Sequence, residues 1–398
     1  MIGVIRWKLG PAACVFAVLF AGHALNAQAG PFSDLVVFGD SLSDMGNVSD
    51  ATGSIPFIAT TPGPYYYNGR FSNGPIYAES LAAGLGLPSL DYSRDGGNDF
   101  AYGGAQTSGT SFPYNVVVRD IDDQVGDFLK SRTASANELF LIFAGANDLI
   151  DGQTNVNVPV NNLSQDLGRL FAGGARQFLV LNLPLLGYTP RYNTNSTLFA
   201  QANAITEQFN AALDTMLDSF QSSNPAANVY RLDIAALVGQ VIANPQSFGL
   251  INVTDSAAPG LSPGESSYDT SHIVADPNQY LFWDDLHPTA AVHAILGERA
   301  VQLFFEPGDF NHDAKVDAAD YVVWRKGLSA GYIASDYDVW RNHLGETAAS
   351  GRSSATTEFR GTPVPEPASM ILALIGMACI NKGRVARVVR LVGSSPIT

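Results

Sequence analysis

The chain has 398 residues, 46% of them hydrophobic, a length that accommodates one large globular domain with additional segments. The formal net charge is −15, and six basic residues lie near the two ends: Arg6, Lys8, Lys382, Arg384, Arg387 and Arg390. No acidic residue falls in 1–29 or 381–398, so subtracting these six positive charges from −15 leaves −21 for the rest. Such an acidic body is repelled by nucleic acid and by anionic membranes, which excludes nucleic acid as a partner and favours uncharged or cationic substrates.

The N-terminal segment has the pattern of a secretory signal peptide. Arg6 and Lys8 precede an apolar run over 11–21, and the sequence AQA at 27–29 offers a small-residue cleavage site. The run is shorter than the roughly 20 residues that a membrane-spanning helix needs. We therefore expect residues 1–29 to be a signal peptide and the protein to be exported, to the extracellular space or the cell surface.

Four apolar runs that are typical of buried strands follow one another at 34–39, 139–144, 177–183 and 228–233. Between the last two, the stretch 199–220 keeps a helical stripe of apolar residues. Strands that alternate with amphipathic helices predict an α/β domain with a parallel sheet and helices on both faces. The polar stretch 252–280, rich in Pro, Ser, Gly and Asp, is interpreted as a long loop.

Two segments suggest nucleophilic chemistry. Residues 38–47 read FGDSLSDMGN, which places Ser41 just beyond the first predicted strand, where open α/β sheets bind ligands. Residues 282–289 read FWDDLHPT. A serine hydroxyl needs an adjacent base, so His287 is the candidate base and Asp284 the candidate carboxylate that orients it. The alternative is that Ser41 only caps a helix.

Two further segments contain candidate hydrogen-bond donors for an oxyanion. NDFAYGGAQT at 98–107 contains Gly103 and Gly104, and FLIFAGANDLID at 140–151 contains Asn147. A glycine N–H and an asparagine amide are suitable donors. Because Asn147 follows another predicted strand, we expect it at the same edge of the sheet as Ser41.

These four segments, in this order, resemble the GDSL esterase/lipase family of the SGNH hydrolases over about residues 33–305. The connecting sequences at 65–88 and 180–190 share the resemblance. It implies a three-layer α/β/α fold for a hydrolase domain at 30–305, with no cofactor needed for catalysis and an ester as the substrate.

Residue by residue, the resemblance implies that Ser41 is the nucleophile, His287 the base and Asp284 its partner. It also implies an oxyanion hole formed by the Ser41 N–H, Asn147 and a glycine. Spacing favours Gly104 over the adjacent Gly103 as that glycine.

Other polar residues near these segments are given structural roles. His293 falls on a helix predicted over 289–305 and is expected to pack or to face solvent, and Asp285 is interpreted as an exposed carboxylate. Asp44 and Asp148 either hydrogen-bond within the site or cap helices, and capping is the expected role. Four aromatic residues either line a cleft or pack under a loop: Tyr65, Tyr66, Tyr67 and Phe71.

After residue 305 the composition changes, and 309–320 read DFNHDAKVDAAD. The ligands expected of a calcium loop are the side chains of Asp309, Asn311, Asp313, Asp317 and Asp320 and the carbonyl of Lys315. A helix predicted at 321–328 is echoed at 335–344, and the repeat resembles a dockerin type I module over 306–346. That resemblance implies Ca²⁺ and a cohesin-like partner. Ala314 stands where such loops usually need glycine, which weakens binding, and an acidic turn that binds nothing is the alternative.

The C-terminal residues form two further segments. Residues 347–363 are rich in Ser, Thr, Ala and Gly and are typical of a flexible linker. Residues 364–398 contain Pro-Glu-Pro, a short apolar run and a basic cluster, and resemble a PEP-CTERM sorting signal, which implies export and sorting machinery at the membrane as a partner. A permanent anchor is the alternative, although the apolar run 368–380 is short for a span.

We therefore predict a secreted serine ester hydrolase that acts on carboxylic esters. One alternative is a polysaccharide O-deacetylase in an extracellular assembly. Another is a non-catalytic surface or matrix protein that retains the fold.

Overall fold

The computed structural model describes residues 31–55, 59–111, 113–328 and 332–347. The predicted signal peptide and sorting tail lie outside these ranges, as does the predicted linker beyond residue 347. Within the described ranges, no helix combines the length and the apolar character needed to cross a membrane.

Four parallel strands form the central sheet. They are β1 (Asp34–Gly39), β2 (Glu138–Phe143), β3 (Gln177–Leu181) and β4 (Asn228–Leu232), and they lie in this order across the sheet. The register pairs Val37 with Leu141 and Leu141 with Leu179. Every residue of β2 is buried, as expected of a strand with both faces covered. The predicted parallel sheet is confirmed.

Helices flank the sheet. Those in the described residues are α1 (Asn47–Gly53), α2 (Tyr77–Gly84), α3 (Ile121–Ser131), α4 (Ala146–Ile150), α5 (Asn157–Ala172), α6 (Pro190–Asn193), α7 (Ser196–Ser223), α8 (Ile234–Ala243), α9 (Ala290–Gln302), α10 (Ala318–Gly327) and α11 (Asp336–His343). Helix α5 packs between α3 and α7, and α2 packs against α9. The architecture is the three-layer α/β/α fold predicted from the sequence.

Helix α7 shows why the sequence pattern succeeded. Phe209, Leu213 and Leu217 recur every four residues and are all buried. The helix begins where the side chain of Asn195 accepts hydrogen bonds from the N–H groups of Thr197 and Leu198.

The predicted loop over 252–280 is wrong at both ends. Strand β5 (Asn252–Ser256) pairs in parallel with β6 (Tyr280–Phe282). All the side chains of β5 except Val253 are polar, and all five are at least partly exposed, so hydrophobic periodicity does not mark this strand. The Ala258 N–H donates to the carbonyl oxygen of Trp283 at 2.9 Å, which extends the contact to the residue before Asp284.

Residues 306–347 pack against α9. Arg299 of α9 forms an ion pair of 3.0 Å with Asp336 of α11. The ring of Phe305 stacks on His312 with 3.8 Å between centroids. The described residues all belong to one compact unit.

The calcium site is not supported. Its predicted ligands are Asp309, Asn311, Asp313, Lys315, Asp317 and Asp320. Across the described part of the chain, no group of three or more His, Cys, Asp or Glu side chains is placed to hold a metal ion. The carboxylate of Asp309 accepts hydrogen bonds from the N–H groups of Asp313 and Ala314 instead, at 3.1 and 2.9 Å. Ala314 has a φ of +68°, in the left-handed region that glycine favours.

Candidate active site

Ser41 lies on a tight turn that begins as β1 ends. A side chain on Gly39 would approach Ser43 Oγ to 2.7 Å, so glycine is required where the strand passes the turn. The N–H groups of Ser43 and Asp44 both donate to the Asp40 carbonyl oxygen at 3.0 Å. This turn brings Ser41 to the carboxyl edge of the sheet without making it part of a helix.

Ser41 does not cap α1; Asp44 does. The Asp44 carboxylate accepts hydrogen bonds of 2.7 Å from the N–H groups of Gly46 and Asn47. The capping role predicted for Asp44 is therefore confirmed, and the capping alternative for Ser41 is wrong.

Ser41, His287 and Asp284 are joined by hydrogen bonds into one chain. His287 Nε2 lies 2.8 Å from Ser41 Oγ, and His287 Nδ1 lies 2.7 Å from Asp284 Oδ2. The other Asp284 oxygen, Oδ1, accepts from the N–H groups of Leu286 and His287 at 2.8 and 2.7 Å. The loop thus folds around its own carboxylate, and the imidazole faces Ser41 with one nitrogen and Asp284 with the other.

Two carboxyl groups at the site differ in their acidity. Burial of Asp284 acts to raise its pKa, but the charge and hydrogen bonds of His287 and the hydrogen bond from Tyr66 outweigh burial, so the pKa is lowered. Asp40 stands beside Ser41, and burial raises the pKa of its carboxyl group to about 6. Asp284 is therefore a carboxylate at neutral pH, whereas Asp40 changes charge near pH 6.

The adjacent glycines differ in what their N–H groups bind. The Gly103 N–H donates to Asp44 Oδ2 at 2.7 Å, and a side chain on Gly103 would overlap the ring of Phe71 at 2.2 Å. Among the described residues, the N–H groups of Gly104 and Ser41 have no hydrogen-bond partner. Gly104 has a φ of +84°. Packing thus requires Gly103, while Gly104 offers the free donor.

Asn147 lies just past the end of β2, as predicted, and contacts the turn that carries Gly104. Its side-chain amide donates to the carbonyl oxygen of Ala105 at 2.9 Å. On the other side of the turn, the Tyr102 N–H donates to the carbonyl oxygen of Gly39 at 3.1 Å. An amide carries two N–H groups, so Asn147 keeps one for a ligand.

The remaining polar residues have structural partners. His293 is buried, accepts a hydrogen bond of 3.3 Å from the Tyr77 N–H, and has its pKa lowered to about 3 by burial. It is a neutral packing residue, as expected. Asp285 forms two hydrogen bonds of 2.9 Å with Arg191, so its interpretation as a simple exposed carboxylate is incomplete.

Asp148 binds a loop instead of capping a helix. Its carboxylate accepts from the Thr107 N–H and hydroxyl at 2.9 and 2.7 Å. Burial raises the pKa of Asp148 to about 6. The predicted capping role for Asp148 is wrong, because the hydroxyl of a residue 41 positions away competes successfully for its carboxylate.

The sequence does not decide whether Tyr66 lines a cleft or packs under a loop. In the structure, its hydroxyl donates a hydrogen bond of 2.6 Å to Asp284 Oδ2. The two residues are 218 positions apart. No local spacing marks such a pair, and the only sequence signal was the cluster of aromatic residues.

An apolar cavity of about 60 Å³ opens beside Ser41 and His287. Its apolar walls include Phe143, Leu185, Ile234, Val238, Leu281, Val292 and Leu296. Asp40 and Asn147 are polar residues on its wall beside Ser41. The Ser41 hydroxyl, the Asn147 amide and the apolar walls therefore line one cavity.

Comparison with known proteins gives a consistent result. The GDSL-like lipase/acylhydrolase family matches residues 35–300. A phosphatidylcholine-sterol acyltransferase of Aeromonas hydrophila is 28% identical, over 72% of this chain and 95% of the relative. A GDSL esterase/lipase of Arabidopsis thaliana is 26% identical, over 73% of this chain and 92% of the relative.

Among solved structures, a member of the lipolytic G-D-S-L family from Veillonella parvula matches 68% of this chain and 98% of its own, with 9% identity and a TM-score of 0.39. The family match ends before the predicted dockerin-like and sorting segments, which remain predictions. The family match itself covers two thirds of the sequence and includes all four segments of the site. The chain belongs to the GDSL-like lipase/acylhydrolase family and is a hydrolase of ester bonds.

Proposed function

We propose that this chain is an exported serine hydrolase of carboxylic esters in which Ser41 is the nucleophile, His287 the base and Asp284 its partner. The observation that carries the proposal is the unbroken hydrogen-bond chain from Ser41 Oγ through His287 to Asp284 Oδ2. Ser41 and His287 also line an apolar cavity that is large enough for part of an acyl group.

In the proposed acylation step, Ser41 Oγ attacks the ester carbonyl carbon while His287 Nε2 accepts the hydroxyl proton. The carbonyl oxygen becomes an oxyanion. The N–H groups of Ser41 and Gly104 and the second N–H of Asn147 are the donors for it. His287 then returns the proton to the departing alcohol, which leaves the acyl group on Ser41.

In the proposed deacylation step, water takes the place of the alcohol. His287 removes a proton from water, and the water oxygen attacks the acyl carbonyl carbon. His287 then gives this proton to Ser41 Oγ as the bond between Oγ and the acyl carbon breaks, which releases the carboxylic acid. Throughout, Asp284 stays ionised and stabilises the imidazolium, which agrees with its lowered pKa.

The cavity favours a short apolar acyl group as substrate. Its walls are aliphatic and aromatic, and its volume of about 60 Å³ is well below the roughly 150 Å³ that holds benzene in an engineered protein cavity. An acyl chain of a few carbons fits within these walls. The name of the Aeromonas relative, a phosphatidylcholine-sterol acyltransferase, supports acyl transfer as the class of reaction.

The decisive experiment is the Ser41→Ala variant of the mature protein. We expect it to lose hydrolysis of p-nitrophenyl butyrate and covalent labelling by a fluorophosphonate while it remains folded. Ser54→Ala is the matched control, because the Ser54 hydroxyl is exposed and bonds only to the carbonyl oxygen of Asp50. Turnover retained by Ser41→Ala would refute the assignment of the nucleophile.

The same assay separates the alternatives. A polysaccharide O-deacetylase would release acetate from acetylated xylan or cellulose faster than it hydrolyses butyrate esters. A non-catalytic surface protein would neither turn over any ester nor react with the fluorophosphonate.

Export, sorting and calcium binding are proposed from the sequence patterns alone. Removal of 1–29 should retain the protein inside the producing cell, and removal of 364–398 should change its surface retention. Calcium is proposed at most as a weak ligand of 309–320, and calorimetric titration of the full chain with Ca²⁺ tests it. No step of the proposed ester hydrolysis uses a metal.

A further inference from the structure

We propose that Tyr66 is a positioning residue of the triad, whose hydroxyl holds the Asp284 carboxylate in the orientation that His287 requires. The inference rests on the proposed function, because it assigns Tyr66 to the same reaction. Two observations support it: the hydrogen bonds that Asp284 accepts, and the contacts between the segment containing Tyr66 and the loop that carries His287.

Asp284 is saturated with donors. A carboxylate offers about four acceptor positions. Two are taken at Oδ1 by the N–H groups of Leu286 and His287, and two at Oδ2 by His287 Nδ1 and the Tyr66 hydroxyl. Tyr66 is the only one of these donors that comes from outside the 284–287 loop. It therefore ties the carboxylate to a separate part of the fold.

The Tyr66 ring is itself held in place. Only 6% of Tyr66 is exposed, and the ring belongs to a buried cluster with Trp283 and Leu261. Its ring centroid lies 6.2 Å from that of Phe71. A donor on a side chain so confined loses little freedom when it bonds to Asp284.

The residues after Tyr66 contact the His287 loop at successive positions. The Phe71 ring lies 5.2 Å from the imidazole of His287. The Ser72 hydroxyl donates to the carbonyl oxygen of Pro288 at 2.9 Å. The Asn73 side-chain oxygen accepts from the Ala290 N–H at 2.7 Å. Residues 66–73 thus form a brace along the chain from Asp284 to the start of α9, and Tyr66 is its contact with the triad.

The environment explains why the hydroxyl matters for the chemistry. Other charged or titratable groups near the pair are Asp285 and Arg191 beside Asp284, and Asp40 and His293 beside His287. Without the hydroxyl, Oδ2 keeps His287 Nδ1 as its sole donor. A buried carboxylate that has lost one donor attracts the proton of its remaining donor, His287 Nδ1, more strongly. The orientation of the Asp284 carboxylate is also less constrained.

The test is Tyr66→Phe, which keeps the ring in its cluster and removes only the hydroxyl. We expect kcat for p-nitrophenyl butyrate and the rate of fluorophosphonate labelling to fall about tenfold, with little change in KM. The acid limb of the pH profile of kcat/KM should move to higher pH. Tyr65→Phe is the matched control, because the Tyr65 hydroxyl lies 3.5 Å from the carbonyl oxygen of Ser266, on the surface.

A double-mutant cycle shows whether Tyr66 acts through Asp284. In an Asp284→Asn background, Tyr66→Phe should cause little further loss, because the two side chains act as a unit. A tenfold loss in both backgrounds would mean that Tyr66 acts independently of Asp284. A loss of thermal stability with no movement of the acid limb would show a packing role only. Either result overturns the inference.

A proton NMR measurement separates this inference from the proposed function. The Nδ1–H proton of His287, hydrogen-bonded to Asp284, should give a downfield resonance that shifts in Tyr66→Phe, stays unchanged in Tyr65→Phe and disappears in Asp284→Asn. This readout needs no substrate. Absence of labelling in the unmodified protein would refute the proposed function, whereas an unshifted resonance in Tyr66→Phe would refute the role of Tyr66.

Discussion

The side-chain amide of Asn147 donates a hydrogen bond of 2.9 Å to the carbonyl oxygen of Ala105. This contact joins the first turn of α4, the helix that follows β2, to the turn that carries Gly104. It orients the amide while it leaves one N–H free, and it couples two of the proposed oxyanion donors to each other.

Replacement of Asn147 tests that arrangement. Removal of one oxyanion donor typically lowers kcat about 10²–10³-fold, so Asn147→Ala should reduce kcat to that extent and change KM much less. Asn162→Ala is the control, because Asn162 donates to the Thr107 hydroxyl at 3.0 Å in the same region. Steady-state kinetics with p-nitrophenyl butyrate measure both. An equal loss in the two variants would assign the effect to loop packing.

The cavity predicts a change of chain-length preference. Leu296 of α9 is a buried wall residue, and Leu296→Ala should let longer acyl groups enter. We expect the ratio of kcat/KM for octanoate to butyrate esters to rise about tenfold, the effect typical of one or more methylenes in an apolar pocket. The variant should also lose about 2–5 kcal/mol of stability. Leu303→Ala, at the end of α9 and outside the cavity walls, should leave the ratio unchanged.

A buried carboxyl group on α5 predicts a pH dependence of stability. Burial raises the pKa of Asp166 to about 6 from an ordinary value of 3.8, and its Oδ2 atom has no partner among the described residues. The folded state therefore binds the proton more tightly than the unfolded state. This contribution to stability is fully present below about pH 4 and is lost as the pH rises through about 6.

Asp166→Asn should reduce the fall of the free energy of unfolding with pH between pH 4 and 6, by at most about 1.4 kcal/mol per pH unit. Urea unfolding at several pH values measures it. Asp218→Asn, at an exposed carboxylate paired with Arg231, should leave the slope unchanged. A steeper slope in Asp166→Asn would contradict the raised pKa.

Ala314 predicts a stabilising substitution. Its φ of +68° costs an alanine about 1–2 kcal/mol that a glycine avoids, so Ala314→Gly should raise the free energy of unfolding by about 1 kcal/mol after the greater flexibility of the unfolded chain is included. Ala204→Gly, on the exposed face of α7, should lower it by about 0.5–1 kcal/mol. Thermal unfolding of both variants gives the comparison, and a destabilised Ala314→Gly would show that this backbone conformation is not strained.

Most of the architecture was predictable from local patterns. Apolar runs such as Leu139–Phe143 report burial on both faces, and the stripe of Phe209, Leu213 and Leu217 reports one buried helical face. These signals depend only on neighbours along the chain. Strand β5 and the hydrogen-bonding pattern of 309–320 escaped prediction, because polar residues at regular spacing fit several backbone arrangements equally well.

The sequence by itself determined the parallel sheet, the family and the order of the four segments that meet at the site. Buried strands and short motifs can be recognised because each consists of consecutive residues. Only the tertiary structure decided which glycine has a free N–H, since the Gly103 donor is taken by Asp44 and the Gly104 donor is not. It alone also brought Tyr66 to Asp284 across 218 residues. Contacts of that kind arise when separately formed elements pack together, and the packing of a complete core has no counterpart in local sequence.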